Sequence, residues 1–358
     1  MKALIAMSGG VDSSLAAKLT LDQGIDCIGC TMKLFEAEES ACKISRTCCS
    51  LEDVEDARSV ARRLHMPYYV FNFKDGFQRL VIDRFVSSYC DGMTPNPCID
   101  CNRFMKFDLL MQRARELGCD YLVTGHYARR EFDAKAGIFR LKKGLDVKKD
   151  QSYVLYSMTQ EQLARTLFPL GQLTKDQVRE QAECFGFVNA DKPDSQDICF
   201  VPDGDYTSMI ERRTGRTFPP GDFLDLDGNV IGTHQGIIRY TVGQRKHLGM
   251  TFGKPQYVCR INASDNSVTL GGPDDVFSSF VRAEEFNWIA GQPPESDIRC
   301  KVRLRYQQAE KWATVHPIDG GKTVEITFDE PQRAAAPGQA AVLYDGDEVL
   351  GGGTITKK

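Results

Sequence analysis

Two groups of residues in this sequence have the types and spacing to do chemistry. The first is Ser8-Gly9-Gly10-Val11-Asp12-Ser13. Adjacent glycines tolerate positive φ, so successive backbone N–H groups can point into one concavity. Ser8 and Ser13 add hydroxyls, and a helix starting at about Asp12 adds the positive potential of its N-terminus. Together these make a cradle for phosphate. It lacks the lysine of G-x-x-x-x-G-K-[ST] and the spacing of G-x-G-x-x-G. The second group is sulfur. Asn96-Pro97-Cys98-Ile99-Asp100-Cys101-Asn102-Arg103 reads as an extended loop, favoured by Pro95 and Pro97, leading into a helix. Pro193-Asp194-Ser195-Gln196-Asp197-Ile198-Cys199-Phe200 reads as a second loop bearing a cysteine. A thiolate is a strong nucleophile and sulfur carrier. Two of them brought together can pass sulfur as a persulfide and close as a disulfide.

The chain has 13 cysteines, an odd number. With no secretory signal, metal binding or thiol chemistry is the better reading than a disulfide framework. Cys27-x-x-Cys30 could complete a zinc site with Cys98-x-x-Cys101. However, an odd separation on a strand places Cys27 and Cys30 on opposite faces. Cys42, Cys48 and Cys49 lie in a polar segment, either as loop thiols or as a separate metal site.

The elements that must position these groups alternate strand and helix. Lys2–Met7 reads as a strand, Asp12–Gln23 as a helix stopped by Gly24, and Ile25–Met32 as a second strand. Ser50-Leu51-Glu52-Asp53 opens a helix ended by Pro67. Tyr68–Phe73 is a third strand, Lys106–Leu117 a helix, and Asp120–Thr124 a fourth strand. This order predicts an α/β fold with a doubly wound parallel sheet, which binds ligands at the carboxyl ends of its strands. Residues 150–190 read as helical, with a capping box at Thr174-Lys175-Asp176-Gln177. Turn signals follow residue 204, and Asp345-Gly346 joins two strands of a hairpin. The expected domains are 1–203 for nucleotide binding, a small mixed α+β module at 204–280, and a C-terminal β-barrel at 281–358.

Length and composition agree with this plan. A chain of 358 residues suits two or three domains. Apolar residues at 42% and charged residues at 26% exclude a disordered chain. No apolar run approaches the roughly 20 residues that span a bilayer. The N-terminus is too short in apolar residues for a signal peptide, so the cytosol is the expected compartment. Net charge is −4, so nucleic acid could be held only through a local patch.

The Ser-Gly-Gly-x-Asp-Ser loop resembles that of the PP-loop ATP pyrophosphatases. That resemblance implies ATP cleaved between its α- and β-phosphates, with Mg2+ offsetting the phosphate charge. Across essentially its whole length the chain resembles the tRNA-specific 2-thiouridylases. The matching motifs are Ser8–Ser14, Cys48–Asp53, Asn96–Phe107, Thr124–Tyr127, Lys149–Tyr153, Asp194–Phe200 and Tyr240–Lys246. The resemblance implies an adenine nucleotide alpha hydrolase-like first domain and a cytoplasmic tRNA-uridine 2-sulfurtransferase. In that reaction ATP adenylates the C2 oxygen of a wobble uridine, and a cysteine persulfide supplies the sulfur. By the same resemblance Cys199 carries the persulfide. Cys101 is the nucleophile that frees the sulfur, leaving a Cys101–Cys199 disulfide. ATP is implied at Ala6, Met7, Ser8, Gly9, Gly10, Val11, Asp12, Ser13, Met32 and Gly125. Contacts to tRNA are implied at Asn96, Pro97, Cys98, His126, Lys149, Asp150, Gln151, Arg305, Tyr306 and Gln339, with the target base flipped into the site. Arg299, Lys301, Arg303 and Arg305 alternate with Cys300, Val302, Leu304 and Tyr306, making a basic stripe that would support phosphate contact by Arg305. The sulfur donor implied is a cysteine desulfurase or a sulfur-relay protein, with no membrane partner.

Many members of this family carry an aspartate where this chain has Cys98. Cys98, Cys101 and Cys199 therefore form a three-cysteine set that would suit a [4Fe–4S] cluster, a second route to the same thiolation. Two other readings remain from the residues. One is a different PP-loop enzyme, a ligase or amidase that adenylates a carboxylate or amide. The other is a non-catalytic RNA-binding protein.

Overall fold

A computed structural model describes residues 1–35, 51–193 and 198–357. The expected helix start at Ser50, the cysteines Cys42, Cys48 and Cys49, and residues 194–197 lie outside the described residues. The chain opens with β1 (Lys2–Ala6), α1 (Val11–Asp22), β2 (Asp26–Lys33), α2 (Leu51–Arg63), β3 (Tyr68–Asn72) and β4 (Tyr121–Val123). A hairpin of β5 (Ala128–Asp133) and β6 (Ile138–Lys143) follows, and then β7 (Thr166–Leu167). The first sheet is parallel, in the order β3-β2-β1-β4-β7. Its central strand is buried on both faces, as parallel sheets require. Leu4 packs into one apolar cluster, while Ala3 and Ile5 pack into another. The same alternation separates Cys30 from Cys27, which bury in different clusters as their spacing predicts.

Strand order reverses at β1, with β2 on one side and β4 on the other. The crevice beyond the carboxyl ends of β1 and β4 is therefore the topological switch point, where such sheets take ligands. The phosphate loop follows β1, and Gly125 follows β4.

One sequence expectation is corrected here. Residues 97–101 are not an extended loop. Pro97 occupies the first position of a helical turn, where its missing N–H costs nothing. Asn96 caps that turn, its side-chain oxygen accepting from Cys98 N–H at 3.1 Å. The helical path runs on without a break through wide i→i+5 turns at Cys101–Leu110 to an α-helical end at Met111–Glu116. The helix thus begins nine residues before the expected Lys106. Both capping-box threonines in this half of the chain are satisfied, Thr174 by Gln177 as predicted and Thr159 by Gln162.

The middle module carries β8 (Gly221–Leu224), β9 (Val230–His234), β10 (Tyr257–Asn262) and β11 (Ser267–Gly271). These form one sheet in the order β10-β11-β8-β9. Phe223, Val258 and Leu270 from this sheet share a core with Phe77, Phe85 and Tyr89 of the first region. The last strands are β12 (Phe277–Trp288), β13 (Ile298–Arg303), β14 (Lys311–Ile318), β15 (Thr323–Arg333), β16 (Ala340–Asp345) and β17 (Glu348–Ile355). Pairing of β12 with β17 closes these six strands into a barrel. Its first strand begins at Phe277, ahead of residue 281. The β5–β6 hairpin, unassigned from sequence, hydrogen-bonds to β17 and so extends the barrel's sheet. Among the described residues no helix is long and apolar enough to cross a membrane.

Candidate active site

A cavity of about 320 Å³ opens at the switch point. The phosphate loop forms one wall with Ala6, Met7, Ser8, Asp12 and Ser13, and Met32 and Gly125 join it there. Gly9 sits at φ +77°, and a Cβ on it would come within 2.4 Å of the Asp53 carbonyl oxygen. Only glycine lets the loop pass beneath α2. Gly125 lies flat against the start of α1, where a Cβ would meet Asp12 C and Ser13 N at 2.8 Å. Side chains help to hold the loop in this shape. Ser8 N–H donates to Ser13 Oγ at 3.1 Å, and the Ser13 hydroxyl donates to the Gly10 carbonyl at 3.0 Å. Asn189, only 2% exposed, donates from Nδ2 to the Gly9 carbonyl at 2.8 Å.

Asp12 is the carboxylate among the described lining residues. Lys175 approaches both its oxygens, at 2.7 and 2.8 Å, and Tyr127 donates its hydroxyl at 2.7 Å. A hard carboxylate oxygen beside a phosphate loop fits a Mg2+ ion carried in on nucleotide phosphates. Such an ion would supply charge neutralisation.

The opposite wall carries sulfur. Cys98, Cys101 and Cys199 all line this cavity. Cys101 and Cys199 both pack against the apolar cluster around Phe77 and Phe85, and Cys98 is exposed at the rim. Phe200 fixes the Cys199 segment, meeting Phe77 at 5.7 Å and Phe85 at 5.3 Å edge to face. Among the described residues no group of three or more His, Cys, Asp or Glu is gathered closely enough to hold a metal ion. The three thiols therefore share a cavity without forming a ligand set for a single metal ion. Asp100, the neighbour of Cys101, points elsewhere. It lies in a separate cleft 3.5 Å from Arg84, and burial raises its pKa.

Between the two walls lies a polar floor in which His126 was an expected contact and Lys106 and Asn102 were not. Lys106 Nζ is 3.4 Å from His126 Nε2, and Thr124 Oγ1 is 2.7 Å from His126 Nδ1. With Lys106 donating to Nε2, the ring proton sits on Nδ1 and is donated to Thr124. Burial and the Lys106 cation hold His126 well below the usual histidine pKa, so it is neutral. Its unfolded state takes up a proton below about pH 6.5, while its folded state does not. Stability from His126 is therefore present above that pH and lost as pH falls below it. Urea unfolding at stepped pH between 7 and 5 is expected to show this slope, up to about 1.4 kcal/mol per unit, and His126→Asn is expected to flatten it. An unchanged slope in the variant would remove His126 from this account. Asn102, 3% exposed, also lines the cavity, and its Oδ1 has no hydrogen-bond partner.

The residues expected to touch tRNA divide into two sets. Pro97, Cys98, His126 and Gln151 line the cavity, and Asn96 caps the turn at its rim. Gln151 also accepts from Tyr127 N–H at 3.0 Å. Lys149 is half-buried nearby, and Tyr306 is 37% exposed, edge-on to Tyr153. The others are engaged within the fold. Asp150 is buried and accepts from Gly144 N–H, Ser152 N–H, the Ser152 hydroxyl and Arg303. Arg305 donates to the carbonyls of Val242 at 2.9 Å and Ala334 at 3.0 Å, joining the middle module to the barrel. Gln339 donates to the Thr94 carbonyl at 2.8 Å. The basic stripe keeps its alternation, since Cys300, Val302 and Leu304 fill the barrel core. Yet Arg299 meets Asp329, Arg303 meets Glu310, and Lys301 lies over the Trp312 ring.

Lys175 and Asn189 lie more than 160 residues from the loop they hold. Nothing local marks them, apart from the capping box that starts the helix of Lys175. Lys106 and Asn102 fall inside a quoted motif, but a lysine and an asparagine on a helix carry no signal of their own.

Residues 1–203 match the family model described as the tRNA methyl transferase HUP domain. Residues 208–272 match the tRNA methyl transferase PRC-barrel domain, and 278–355 the aminomethyltransferase beta-barrel domain. The tRNA-specific 2-thiouridylase MnmA of Acetivibrio thermocellus is 49% identical over 355 residues, covering 99% of each chain. That of Clostridioides difficile is 48% identical over 356 residues, covering 99% of this chain and 98% of its own. The Carboxydothermus hydrogenoformans protein is 48% identical over 358 residues, covering 100% of this chain and 98% of its own.

Proposed function

Because this chain belongs to the tRNA-specific 2-thiouridylase family and is a tRNA sulfurtransferase, we propose that it thiolates a wobble uridine at C2 by adenylation followed by persulfide transfer. The uridine C2 oxygen attacks the α-phosphorus of ATP. Pyrophosphate leaves, and the oxygen becomes part of an AMP ester. The terminal sulfur of a Cys199 persulfide then adds at C2, and AMP leaves with the oxygen. Attack of the Cys101 thiolate on Cys199 Sγ breaks the sulfur–sulfur bond. The transferred sulfur stays on C2 as a thiocarbonyl, and Cys101 and Cys199 close as a disulfide.

The observation that carries this reading is the shared cavity, with a phosphate loop on one wall and Cys101 and Cys199 on the other. The loop's backbone donors and the start of α1 suit the departing pyrophosphate. Lys106 supplies a cation between the walls, placed to offset charge at the α-phosphate. Neutral His126 leaves that cation its charge. The apolar packing around Phe77 and Phe200 keeps water from the activated carbon.

The test is an anaerobic assay with tRNA, Mg-ATP and a persulfide donor. It is expected to give 2-thiouridine, AMP and pyrophosphate in equal amounts. ADP and phosphate as the nucleotide products would overturn adenylation. Thiolation that tracks bound iron rather than the persulfide load would overturn the sulfur route.

A further inference from the structure

Cys98 and Cys101 stand one helical turn apart. The Cys101 N–H reaches the carbonyls of Cys98 and Pro97, so the two residues share the first turn after the Asn96 cap. That spacing puts their Cα atoms roughly 5 Å apart, inside the range that a disulfide bridges. The three thiols differ in exposure. Cys101 and Cys199 pack against the Phe77–Phe85 cluster inside the cavity, whereas Cys98 is exposed at its mouth. A bond between the two inner sulfurs is therefore screened from a reductant by the walls that exclude water from the reaction.

We propose that Cys98 is a resolving thiol, which moves the disulfide left by each sulfur transfer from the cavity to its rim. The inference rests on the persulfide reading above. The Cys98 thiolate attacks Cys101 Sγ. The Cys98–Cys101 bond forms, the Cys101–Cys199 bond breaks, and the electron pair leaves on Cys199, which takes a proton. The exchange is redox-neutral. A dithiol reductant from solution then reduces the exposed Cys98–Cys101 bond, taking up the oxidation as its own disulfide. Cys199 is released first, so it can accept its next sulfur while the reducing step proceeds at the rim. An aspartate in place of Cys98 could not make this exchange.

The test uses the full-length chain, persulfide-loaded by a cysteine desulfurase and L-cysteine and freed of excess donor. It is given tRNA and Mg-ATP for one turnover without reductant, quenched in acid, alkylated, and mapped without reduction. The expected product is a peptide closed by Cys98–Cys101, with Cys199 alkylated. A Cys101–Cys199 crosslink that persists with Cys98 alkylated would overturn the inference and leave the persulfide reading standing. Thiolated tRNA with Cys101 alkylated throughout would overturn both. A second measurement needs no turnover. In pre-oxidised protein, dithiothreitol is expected to release the Cys199 thiol about tenfold more slowly in Cys98→Ser than in the unaltered chain. Equal rates would overturn the inference.

Discussion

Replacing Cys199 with serine is expected to lower 2-thiouridine formation by about a thousandfold or more, while pyrophosphate is still released and adenylated tRNA accumulates. A hydroxyl has the size of the thiol but cannot hold a sulfane sulfur. Cys199 is half-buried, and its segment is held by Phe200 against Phe77 and Phe85. The variant therefore keeps the cavity and loses the carrier. Counting pyrophosphate and 2-thiouridine in one reaction separates the two steps. Full thiolation by the variant would remove Cys199 from the sulfur path. Loss of pyrophosphate release as well would show that the thiol acts before sulfur transfer.

Gly9→Ala is expected to weaken ATP binding about a hundredfold and to cost about 3 kcal/mol of stability. Two effects add. A non-glycine residue at φ +77° is strained by roughly 1 to 2 kcal/mol. In addition, the new Cβ would lie 2.4 Å from the Asp53 carbonyl and 2.7 Å from its Cα, which are backbone atoms of α2 and cannot swing aside. Either α2 lifts or the loop shifts, and a shifted loop no longer aims its N–H groups at phosphate. Gly24→Ala is the matched control. Its φ is +74°, and a Cβ there meets nothing within 4 Å. It is expected to cost about 1 kcal/mol and to leave ATP affinity unchanged. Equal ATP affinity for Gly9→Ala and Gly24→Ala would show that the loop does not need its observed path.

The parts of this structure that were legible in sequence are those written in local signals. A short apolar run, two glycines and a helix stopped by Gly24 place β1, the phosphate loop and α1. An odd spacing on a strand separates Cys27 from Cys30. A capping box starts the helix at Lys175. Proline misled at 97, because the same fixed φ that favours extended chain also suits the first helical position. The capping asparagine decided between them. What could not be read locally is partner choice across the chain. Asp12 reads as a loop acid, but its pairing with Lys175 depends on a helix packed more than 160 residues away. Arg305 reads as part of an outward basic stripe, yet two carbonyls near its guanidinium turn it inward. A pattern of alternation gives the face of a strand, not what waits on that face.

The β5–β6 hairpin also bears on how the chain is made. Its partner strand β17 leaves the ribosome some two hundred residues later. At ordinary elongation rates of about 5–20 residues per second, the β6 edge waits roughly 10–40 s for its neighbour. An open edge of that kind invites pairing with another nascent chain. This hairpin is guarded by charge. Arg140 is held by Asp133, and Lys142 by Glu131, within the hairpin itself. Both ion pairs can form before β17 exists. When β17 arrives, Glu348 joins Arg140 at 2.5 Å, so the guard then helps to fix the register of the final strand. Translation thus closes the barrel onto a strand that has been ready since the first half of synthesis.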